Sequence, residues 1–313
     1  MTAEHLVLEA PAKVNLCLAV SYPPRDGYHL LDSVFLELPL ADTVCVERAR
    51  IDDVADHPAA AATAAGTLVA LDCGALGIPT QDNLVFKAVD GFERAVGAAL
   101  VPEDGGIRIS VDKRIPAGGG LGGGSSDAAA TLRACCALAG LSEDDSRVGA
   151  LARTLGADVA FFLHGGCALM GGRGDLFEEE LPAFPLPLVL MGESQGISTP
   201  RIYRDFDASP APAPDARALA AALRDFEPGG AGPAQKRRLA QLCANNLEPA
   251  AFDALPRLRE RVERARCDED VLNALVTGSG ATSFAICPDN AAALRFAQRA
   301  RAYCDWTLAC KVR

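Results

Sequence analysis

The stretch that most restricts the fold of this chain is glycine-rich and covers residues 115–129, IPAGGGLGGGSSDAA. Six of the seven residues from Gly118 to Gly124 are glycine, and two serines follow directly. Glycine accepts a positive φ and lets the backbone approach a ligand closely. A serine before an alanine-rich run is a good N-cap, and a helix N-terminus favours an anion. Because the stretch lies between a predicted strand and a predicted helix, it indicates a phosphate-binding loop rather than a flexible linker.

Three familiar glycine-loop motifs do not fit this stretch. A P-loop needs a lysine directly after its last glycine, whereas Gly124 is followed by Ser125 and Ser126. A run with this many glycines matches the dinucleotide-binding fingerprint by chance, so the match is not evidence for that motif. The acidic residue that would bind the ribose at the end of a second strand is also missing. The HRD and DFG partners of a protein kinase are also missing. What remains is a loop that opens a helix and offers N–H groups to phosphate.

The acidic composition restricts the class of ligand. The formal net charge is −11 and the pI is about 4.9, which argues against a nucleic-acid binder. An anionic nucleotide would therefore bind through local N–H groups, lysines and metal ions rather than through the overall field. We expect a small-molecule ligand and no nucleic-acid partner.

The cysteine pattern and the hydropathy indicate a cytoplasmic protein. No apolar run reaches the roughly eighteen residues of a membrane span, and Glu4, His5 and Glu9 interrupt any signal-peptide pattern. The eleven cysteines are scattered and contain no CxxC pair, so we expect reduced thiols rather than disulfides or a zinc site. We therefore expect no membrane partner.

Hydrophobic periodicity predicts a mixture of strands and helices. Residues 6–20 form a predicted strand that carries Lys13 and Asn15 on one face. Residues 54–66 are alanine-rich with little periodicity, and we expect a surface insertion there. The further predicted strands are residues 30–38, 107–111, 186–191, 272–276, 283–287 and 306–312. The predicted helices are residues 83–96, 127–139, 142–156, 235–253, 255–266 and 290–303.

Several polar residues allow two interpretations on local sequence alone. Lys13 is either a solvated lysine or a partly buried ammonium with a task. Tyr28 and His29 follow a polar turn, where they are either surface residues or a ring to stack on and an imidazole that hydrogen-bonds. Asp158 stands in front of an apolar run, as a helix cap or as a functional carboxylate.

Taken together and in order, these segments resemble the GHMP kinase superfamily of small-molecule kinases. The three corresponding segments are Pro11–Asn15, Pro116–Ser126 and Thr277–Ala281. The similarity extends to the members that phosphorylate a cytidylated methylerythritol in the non-mevalonate isoprenoid pathway. That part rests on residues 25–29, on residues 156–162 and on Thr199–Pro200. The resemblance spans nearly the whole chain.

The resemblance implies a role for each matching residue. Asp158 corresponds to the catalytic base and Lys13 to the lysine near the reacting hydroxyl. The residues that correspond to the binding site of the cytidylated substrate are Asn15, Tyr28, His29, Thr199 and Tyr203; Tyr28 and Tyr203 would sandwich the cytosine, and His29 would hydrogen-bond it. The residues that correspond to the ATP site are Asn83, Lys113, Pro116, Ala117, Gly118, Gly119, Gly120, Leu121, Gly122, Gly123, Gly124, Ser125 and Ser126. Residues 116–126 are called the phosphate loop below.

The same resemblance implies ATP and Mg²⁺ as cofactors, with Ser125 or Ser126 near the metal. The metal ligands are not assigned, because Asp127 could face the metal or cap the helix. Phosphoryl transfer depends on positioning and on neutralising the phosphate charge, which suits a loop of N–H donors. Asp158 would accept the proton of the substrate hydroxyl, and Lys13 would keep Asp158 ionised.

The expected fold is α+β with two lobes. The first, residues 1–168, is an ATP-binding catalytic domain, and the second, residues 169–313, is a smaller substrate domain whose last strand, about 305–313, returns to the first lobe. The expected activity is ATP-dependent phosphorylation of the 2-hydroxyl of the cytidylated methylerythritol. The alternatives are a GHMP kinase for homoserine or mevalonate and a catalytically silent nucleotide-binding protein. The sequence does not predict the oligomeric state.

Overall fold

The computed structural model describes residues 5–74, 77–97, 99–102, 104–193, 196–226 and 232–310. Helices and strands mix throughout these ranges, which confirms the predicted α+β class. The helices are α1 Ile51–Ala55, α2 Leu84–Val96, α3 Gly123–Ala139, α4 Ser146–Leu155, α5 Ala157–His164, α6 Thr199–Ala208, α7 Ala216–Arg224, α8 Pro233–Leu242, α9 Glu248–Ala254, α10 Pro256–Arg266 and α11 Asn290–Ala300. The strands are β1 His5–Val20, β2 Leu31–Arg50, β3 Ala60–Ala62, β4 Leu68–Asp72, β5 Gly105–Asp112, β6 Cys167–Gly171, β7 Leu176–Leu181, β8 Leu188–Gly192, β9 Ala244–Asn245, β10 Asn273–Val276, β11 Ser283–Ile286 and β12 Trp306–Cys310.

The chain divides into two compact units that alternate along the sequence. The first unit is Met1–Ala12, Leu40–Ile115 and Gly122–His164. The second unit is Lys13–Pro39, Pro116–Leu121 and Gly165–Arg313. Strands β1 and β2 and the phosphate loop each pass from one unit to the other along the chain. The predicted domain boundary at residue 168 stays a prediction.

The first unit combines a sheet with a group of four helices. Strand β5 pairs antiparallel with β2 and parallel with β4, and β4 pairs antiparallel with β3. Helix α2 packs against α3 and α4, and α5 packs against both of these. The sequence signals for α2 are confirmed, because Asn83 is its N-cap and Gly97 ends it in the left-handed conformation, with φ 69°.

In the first unit one prediction is wrong and another is incomplete. A serine does not cap α3: the helix begins at Gly123, its N-cap is Gly122 with φ 75°, and both serines lie in its first turn. Residues 54–66 are more than a surface insertion, since Val54 is fully buried and β3 pairs with β4. The hydroxyls of Thr63 and Thr67 both donate to the Glu93 carboxylate on α2. These long-range bonds hold a segment whose alanines give no periodic signal.

The second unit contains two groups of strands. Strand β1 pairs in parallel with β9, and β2 pairs with β6, which forms a hairpin with β7. A separate sheet has the order β10-β11-β8-β12, with every pair antiparallel. Helices α6, α9, α10 and α11 contribute to a core that includes Ile202, Phe252, Leu258 and Phe296. Helix α10 packs against β10 and β11, the two strands that the turn at residues 277–281 joins.

The last strand does not return to the first lobe, contrary to the prediction. Strand β12 pairs with β8 from Trp306↔Gly192 to Cys310↔Leu188. Because β11 takes one edge of β8, the other edge is open, and β12 satisfies its backbone groups. Residues 311–313 of that prediction lie outside the described ranges.

The predicted helix at residues 235–253 is two helices, α8 and α9, separated by β9. The break has a physical cause, since the Asn245 amide donates to the carbonyls of Val276 and Gly278. Among the helices that the structure describes, none has the length and apolar character needed to cross a membrane.

Candidate functional site

The first half of the phosphate loop, Pro116–Leu121, packs in the second unit against the turn between β10 and β11. This turn, residues 277–281, is called the glycine turn below. Gly120 has φ 76°, and a Cβ there would lie 2.9 Å from the Thr277 carbonyl oxygen. A Cβ on Gly119 would lie 2.5 Å from Thr282 Oγ1, and the Thr282 N–H donates to the Gly119 carbonyl at 3.2 Å. Close approach of two backbone segments therefore requires the glycines at these positions.

The second half of the loop opens α3 in the first unit. Ser126 and Asp127 are buried, and within the part of the chain that the structure describes, Ser126 Oγ and Asp127 Oδ1 have no hydrogen-bond partner. A buried polar atom without a partner is costly, which favours a ligand at this point. A hydroxyl and a carboxylate oxygen are suitable ligands for Mg²⁺. The residues at the start of α3 therefore fit a magnesium ion.

The described residues contain no group of three histidine, cysteine or acidic side chains that could hold a metal by itself. Magnesium does not need one, because it commonly uses one or two carboxylates together with water and substrate phosphates.

Lys113, just before the loop, forms a buried charge cluster with two aspartates of the first unit. Its Nζ donates to Asp42 Oδ2 at 2.5 Å and to Asp127 Oδ2 at 2.7 Å. Burial raises the pKa of Asp127 to about 6, against the lowering effect of Lys113. Burial lowers the pKa of Lys113, but the charge of Asp127 and the hydrogen bonds to both aspartates raise it above its ordinary value. Lys113 thus stays an ammonium whose donors are shared by two carboxylates.

Asp42 is a site residue that the sequence did not reveal. It is fully buried, and its Oδ1 accepts the backbone N–H groups of Arg114 at 2.5 Å and Ile115 at 2.7 Å. Asp42 therefore fixes the chain that leads into the phosphate loop. Its only sequence signal is a carboxylate inside a long strand, about seventy positions from its partners.

Two cavities flank the predicted nucleoside-side residues in the first unit. Asn83 borders a cavity of about 340 Å³, and Lys113 borders another of about 540 Å³. The two cavities share Asp72, Cys73 and Gly74. Asn83 Oδ1 accepts the Val85 N–H at 2.9 Å, so its amide is also a helix cap. The space beside these two residues is consistent with a bound nucleoside.

Lys13 and Asn15 lie in the second unit within a chain of buried hydrogen bonds. Lys13 Nζ donates to Asn15 Oδ1 at 2.9 Å, and Asn15 Nδ2 donates to Ser33 Oγ at 2.9 Å. The Ser33 hydroxyl donates onward to the Cys17 carbonyl at 2.7 Å. Lys13 is 4% exposed, and its Nζ lies 5.2 Å from the centroid of the Phe35 ring. The alternative of a solvated Lys13 is excluded, and Ser33 sets which way the Asn15 amide points.

An aromatic and acidic cluster of the second unit contains His29 and Tyr203. Their ring centroids are 5.4 Å apart. His29 Nδ1 lies 2.8 Å from the Ser21 carbonyl oxygen, and Nε2 lies 3.1 Å from Asp207 Oδ1. Both neighbouring atoms are acceptor oxygens, one facing each ring nitrogen. A hydrogen bond from the His29 ring to a cytosine would compete with Ser21 and Asp207, neither of which the sequence indicated.

The remaining predicted residues have distinct environments. Tyr28 is exposed, with the Arg173 guanidinium carbon 4.6 Å from its ring centroid. Thr199 begins α6, and its Oγ1 lies 2.8 Å from Ser279 Oγ of the glycine turn. Asp158 lies in the first turn of α5 in the first unit and is partly exposed. Because Lys13 belongs to the second unit, its joint action with Asp158 stays a prediction.

Comparison with known sequence families identifies two matching segments. The GHMP kinases N terminal domain matches residues 83–166, and the GHMP kinases C terminal domain matches residues 218–305. Together they cover more than half of the chain.

Several curated relatives are similar over almost the full length. A 4-diphosphocytidyl-2-C-methyl-D-erythritol kinase of Nocardia farcinica is 36% identical over 298 residues, which cover 93% of this chain and 88% of the relative. Enzymes of the same name are 37% identical in Mycolicibacterium gilvum, covering 92% of this chain and 84% of the relative, and 33% identical in Azorhizobium caulinodans, covering 96% and 95%.

Two solved structures have a similar fold. A crystal structure of 4-(cytidine 5'-diphospho)-2C-methyl-D-erythritol kinase has a TM-score of 0.71 and 33% identity, covering 97% of this chain and 98% of that one. A homoserine kinase from Cytophaga hutchinsonii has a TM-score of 0.70 at 18% identity, covering 100% and 95%. At that identity the second likeness shows a shared fold alone.

Proposed function

Because this chain belongs to the 4-diphosphocytidyl-2-C-methyl-D-erythritol kinases of the GHMP kinase family, we infer that it transfers the γ-phosphoryl group of ATP to the 2-hydroxyl of 4-diphosphocytidyl-2-C-methyl-D-erythritol. The products are the 2-phosphate and ADP, and the step belongs to non-mevalonate isoprenoid precursor biosynthesis. The predicted GHMP kinase fold is confirmed. The observation that carries the inference is the match to 93% of this chain and 88% of a relative with that activity in its name.

The phosphate loop would receive the ATP phosphates. Its positive-φ glycines, Gly118, Gly120 and Gly122, shape a backbone whose N–H groups donate to anionic oxygens. Asn83 and Lys113 would contact the nucleoside, beside the cavities they border. A magnesium ion held by Ser126 and Asp127, with Ser125 next to them, would supply positive charge to the phosphate oxygens.

The chemistry of the acceptor would depend on Asp158 and Lys13. Asp158 takes the proton from the 2-hydroxyl of the acceptor while the oxygen of that hydroxyl attacks the γ-phosphorus and ADP leaves. Such general-base assistance raises the reaction rate by about 10²–10⁴-fold. The Lys13 ammonium stabilises the negative charge that develops on the attacking oxygen. Asn15 and Ser33 hold that ammonium in one direction, which lowers the cost of organising it during the reaction.

The cytidine end of the acceptor would lie among aromatic residues of the second unit. Tyr28 and Tyr203 offer rings for stacking, and the exposure of Tyr28 leaves room for a base. Thr199 would contact the bound substrate from the start of α6. Stacking on an aromatic ring does not distinguish one base from another, so the neighbouring polar groups His29 and Asp207 would select cytosine.

The chemistry of the cysteines supports a cytoplasmic setting. Eight of the eleven cysteines are buried, and burial raises the pKa of the Cys17 and Cys167 thiols to about 12. Such thiols remain protonated and suit a reducing compartment.

A coupled ADP-release assay with Mg-ATP tests the function. The acceptors are 4-diphosphocytidyl-2-C-methyl-D-erythritol, the same alcohol without its cytidine diphosphate, homoserine and mevalonate. Turnover only with the cytidylated acceptor is expected. Turnover with another alcohol would replace the substrate assignment, and ATP binding without any turnover would favour a silent nucleotide-binding protein.

A further inference from the structure

Arg261 on α10 is a fully buried cation that the catalytic assignment does not use. It is 2% exposed and is the largest of the fully buried side chains. Burial lowers the pKa of its guanidinium from the ordinary value, and the Glu193 carboxylate offsets part of this effect. Removing a charge from water is costly unless good partners replace the water.

The Arg261 guanidinium makes two hydrogen bonds and one ion pair. Its Nη2 donates to the Ala281 carbonyl at 2.5 Å, and its Nε donates to Ser283 Oγ at 3.0 Å. Its Nη1 lies 2.9 Å from Glu193 Oε1, just after β8, and that carboxylate is itself 8% exposed. A planar guanidinium fixes the relative positions of such acceptors, which a flexible ammonium does not. Arg261 therefore ties the end of the glycine turn and the start of β11 to α10.

The glycine turn also contacts the phosphate loop directly. The residue after Ala281 is Thr282, whose N–H donates to the Gly119 carbonyl. The carbonyl oxygens of Thr277 and Gly280 face Gly120 so closely that a Cβ would lie 2.9 and 3.1 Å from them. The carbonyl held by Arg261 and the N–H that holds the loop thus belong to the same rigid peptide group, the one that joins Ala281 to Thr282.

We propose that Arg261 is a positioning residue for the phosphate loop: it holds the glycine turn against Gly119 and Gly120, and Glu193 compensates its charge. A hydrophobic residue of similar volume often stabilises a core as well as a buried ion pair does. The two hydrogen bonds, to the Ala281 carbonyl and to Ser283, accordingly serve the geometry of the turn. This assignment rests on the proposed function insofar as the loop binds ATP.

The test compares Arg261→Met and Arg261→Lys with a matched control on the same helix, Arg266→Met. Arg266 also joins a backbone carbonyl, that of Ala274, and a carboxylate, Glu248. A loop displaced by about 1 Å can cost about 10²-fold in rate. We expect Arg261→Met to raise KM for ATP, and the Kd for ATP without acceptor, by about tenfold or more, the scale of one lost strong contact. Arg261→Lys should recover part of that loss, and Arg266→Met should change KM for ATP by less than about twofold.

The outcomes separate positioning from stability. Thermal unfolding is followed for each variant, because a purely structural role would lower Tm and the active fraction while leaving KM for ATP unchanged. That result, or an equal rise of KM in Arg266→Met, overturns the proposal. If Arg261→Met does not fold, Arg261→Lys decides by the same comparison. ATP binding without acceptor is measured separately from turnover. A wild-type protein that binds ATP but does not turn over would refute the proposed function. The role of Arg261 would then still be tested by the Kd values for ATP of the variants.

Discussion

Gly119 gives a direct test of how the phosphate loop is supported. Its φ lies outside the left-handed region, so alanine there meets no backbone strain, only the neighbouring side chain. The added Cβ would lie 2.5 Å from Thr282 Oγ1, whereas ordinary contact begins at 3.4 Å. In Gly119→Ala, therefore, either the loop or the turn moves by about 0.9 Å or the buried Thr282 side chain leaves its rotamer. A misplacement of about 1 Å in a positioned site can cost about 10²-fold, so we expect kcat/KM for ATP to fall by about 10- to 100-fold.

A second substitution should reverse the effect. Thr282→Ala removes Oγ1, and the next nearest atom of that residue, its Cβ, is 3.7 Å from the new methyl carbon. The Thr282 N–H to Gly119 hydrogen bond involves only the backbone and is retained. We expect the double variant Gly119→Ala/Thr282→Ala to have a kcat/KM within about fivefold of Thr282→Ala alone, a large non-additive interaction.

Gly120→Ala is the matched control, because its added Cβ meets backbone carbonyls rather than the Thr282 side chain. Thr282→Ala should not rescue it. The kinetic constants are measured by ADP release at saturating acceptor, with thermal unfolding followed in parallel. The reasoning would be refuted if the double variant were no better than Gly119→Ala, or if Thr282→Ala rescued Gly120→Ala equally well.

Three further variants test individual roles. Asp158→Asn should lose most turnover and still bind ATP, since a general base contributes about 10²–10⁴-fold; retention of more than about a tenth of the wild-type rate would contradict the role. Tyr28→Ala should raise KM for the acceptor more than it lowers kcat, because a stacked base is worth about 1–3 kcal/mol; an unchanged KM would remove the stacking role. Ser33→Ala removes the hydrogen bond that orients the Asn15 amide beside Lys13. It should lower kcat about fivefold at constant KM for ATP, which corresponds to a loss of about 1 kcal/mol. A changed KM for ATP with a normal kcat would contradict a role of Ser33 in orienting Asn15 and Lys13.

The parts of the site that the sequence predicted are those with local signals. Gly118–Gly124, the Asn83 cap and the Gly97 stop depend on residues within a few positions of one another. The missed residues act over long sequence distances. Asp42 accepts N–H groups 72 and 73 positions away, and Ser33 reaches Asn15 across 18 positions. No local pattern distinguishes such a carboxylate or hydroxyl from any other in a strand.

The wrong and incomplete predictions have similar physical causes. A serine before an alanine run is a good cap in isolation, but left-handed Gly122 starts α3 earlier and places both serines inside the helix. The alanine-rich stretch shows no periodicity because alanine fits strand, helix and loop alike. Its structure depends on Thr63, Thr67 and the distant Glu93. The position of β12 was determined by the open edge of β8, which only the assembled sheet reveals.

The glycine turn supports residues assigned to both substrates. The Thr282 N–H directly after it holds Gly119 of the donor loop, and Thr277 Oγ1 accepts the N–H of Asn15, the partner of Lys13. Ser279 Oγ lies 2.8 Å from Thr199 Oγ1 on the acceptor side. Because these groups sit on one short segment, a shift of that segment must move donor and acceptor contacts together. Phosphoryl transfer is sensitive to the in-line alignment of the phosphoryl donor and the acceptor hydroxyl, so a small displacement of the turn would lower the rate through both substrates.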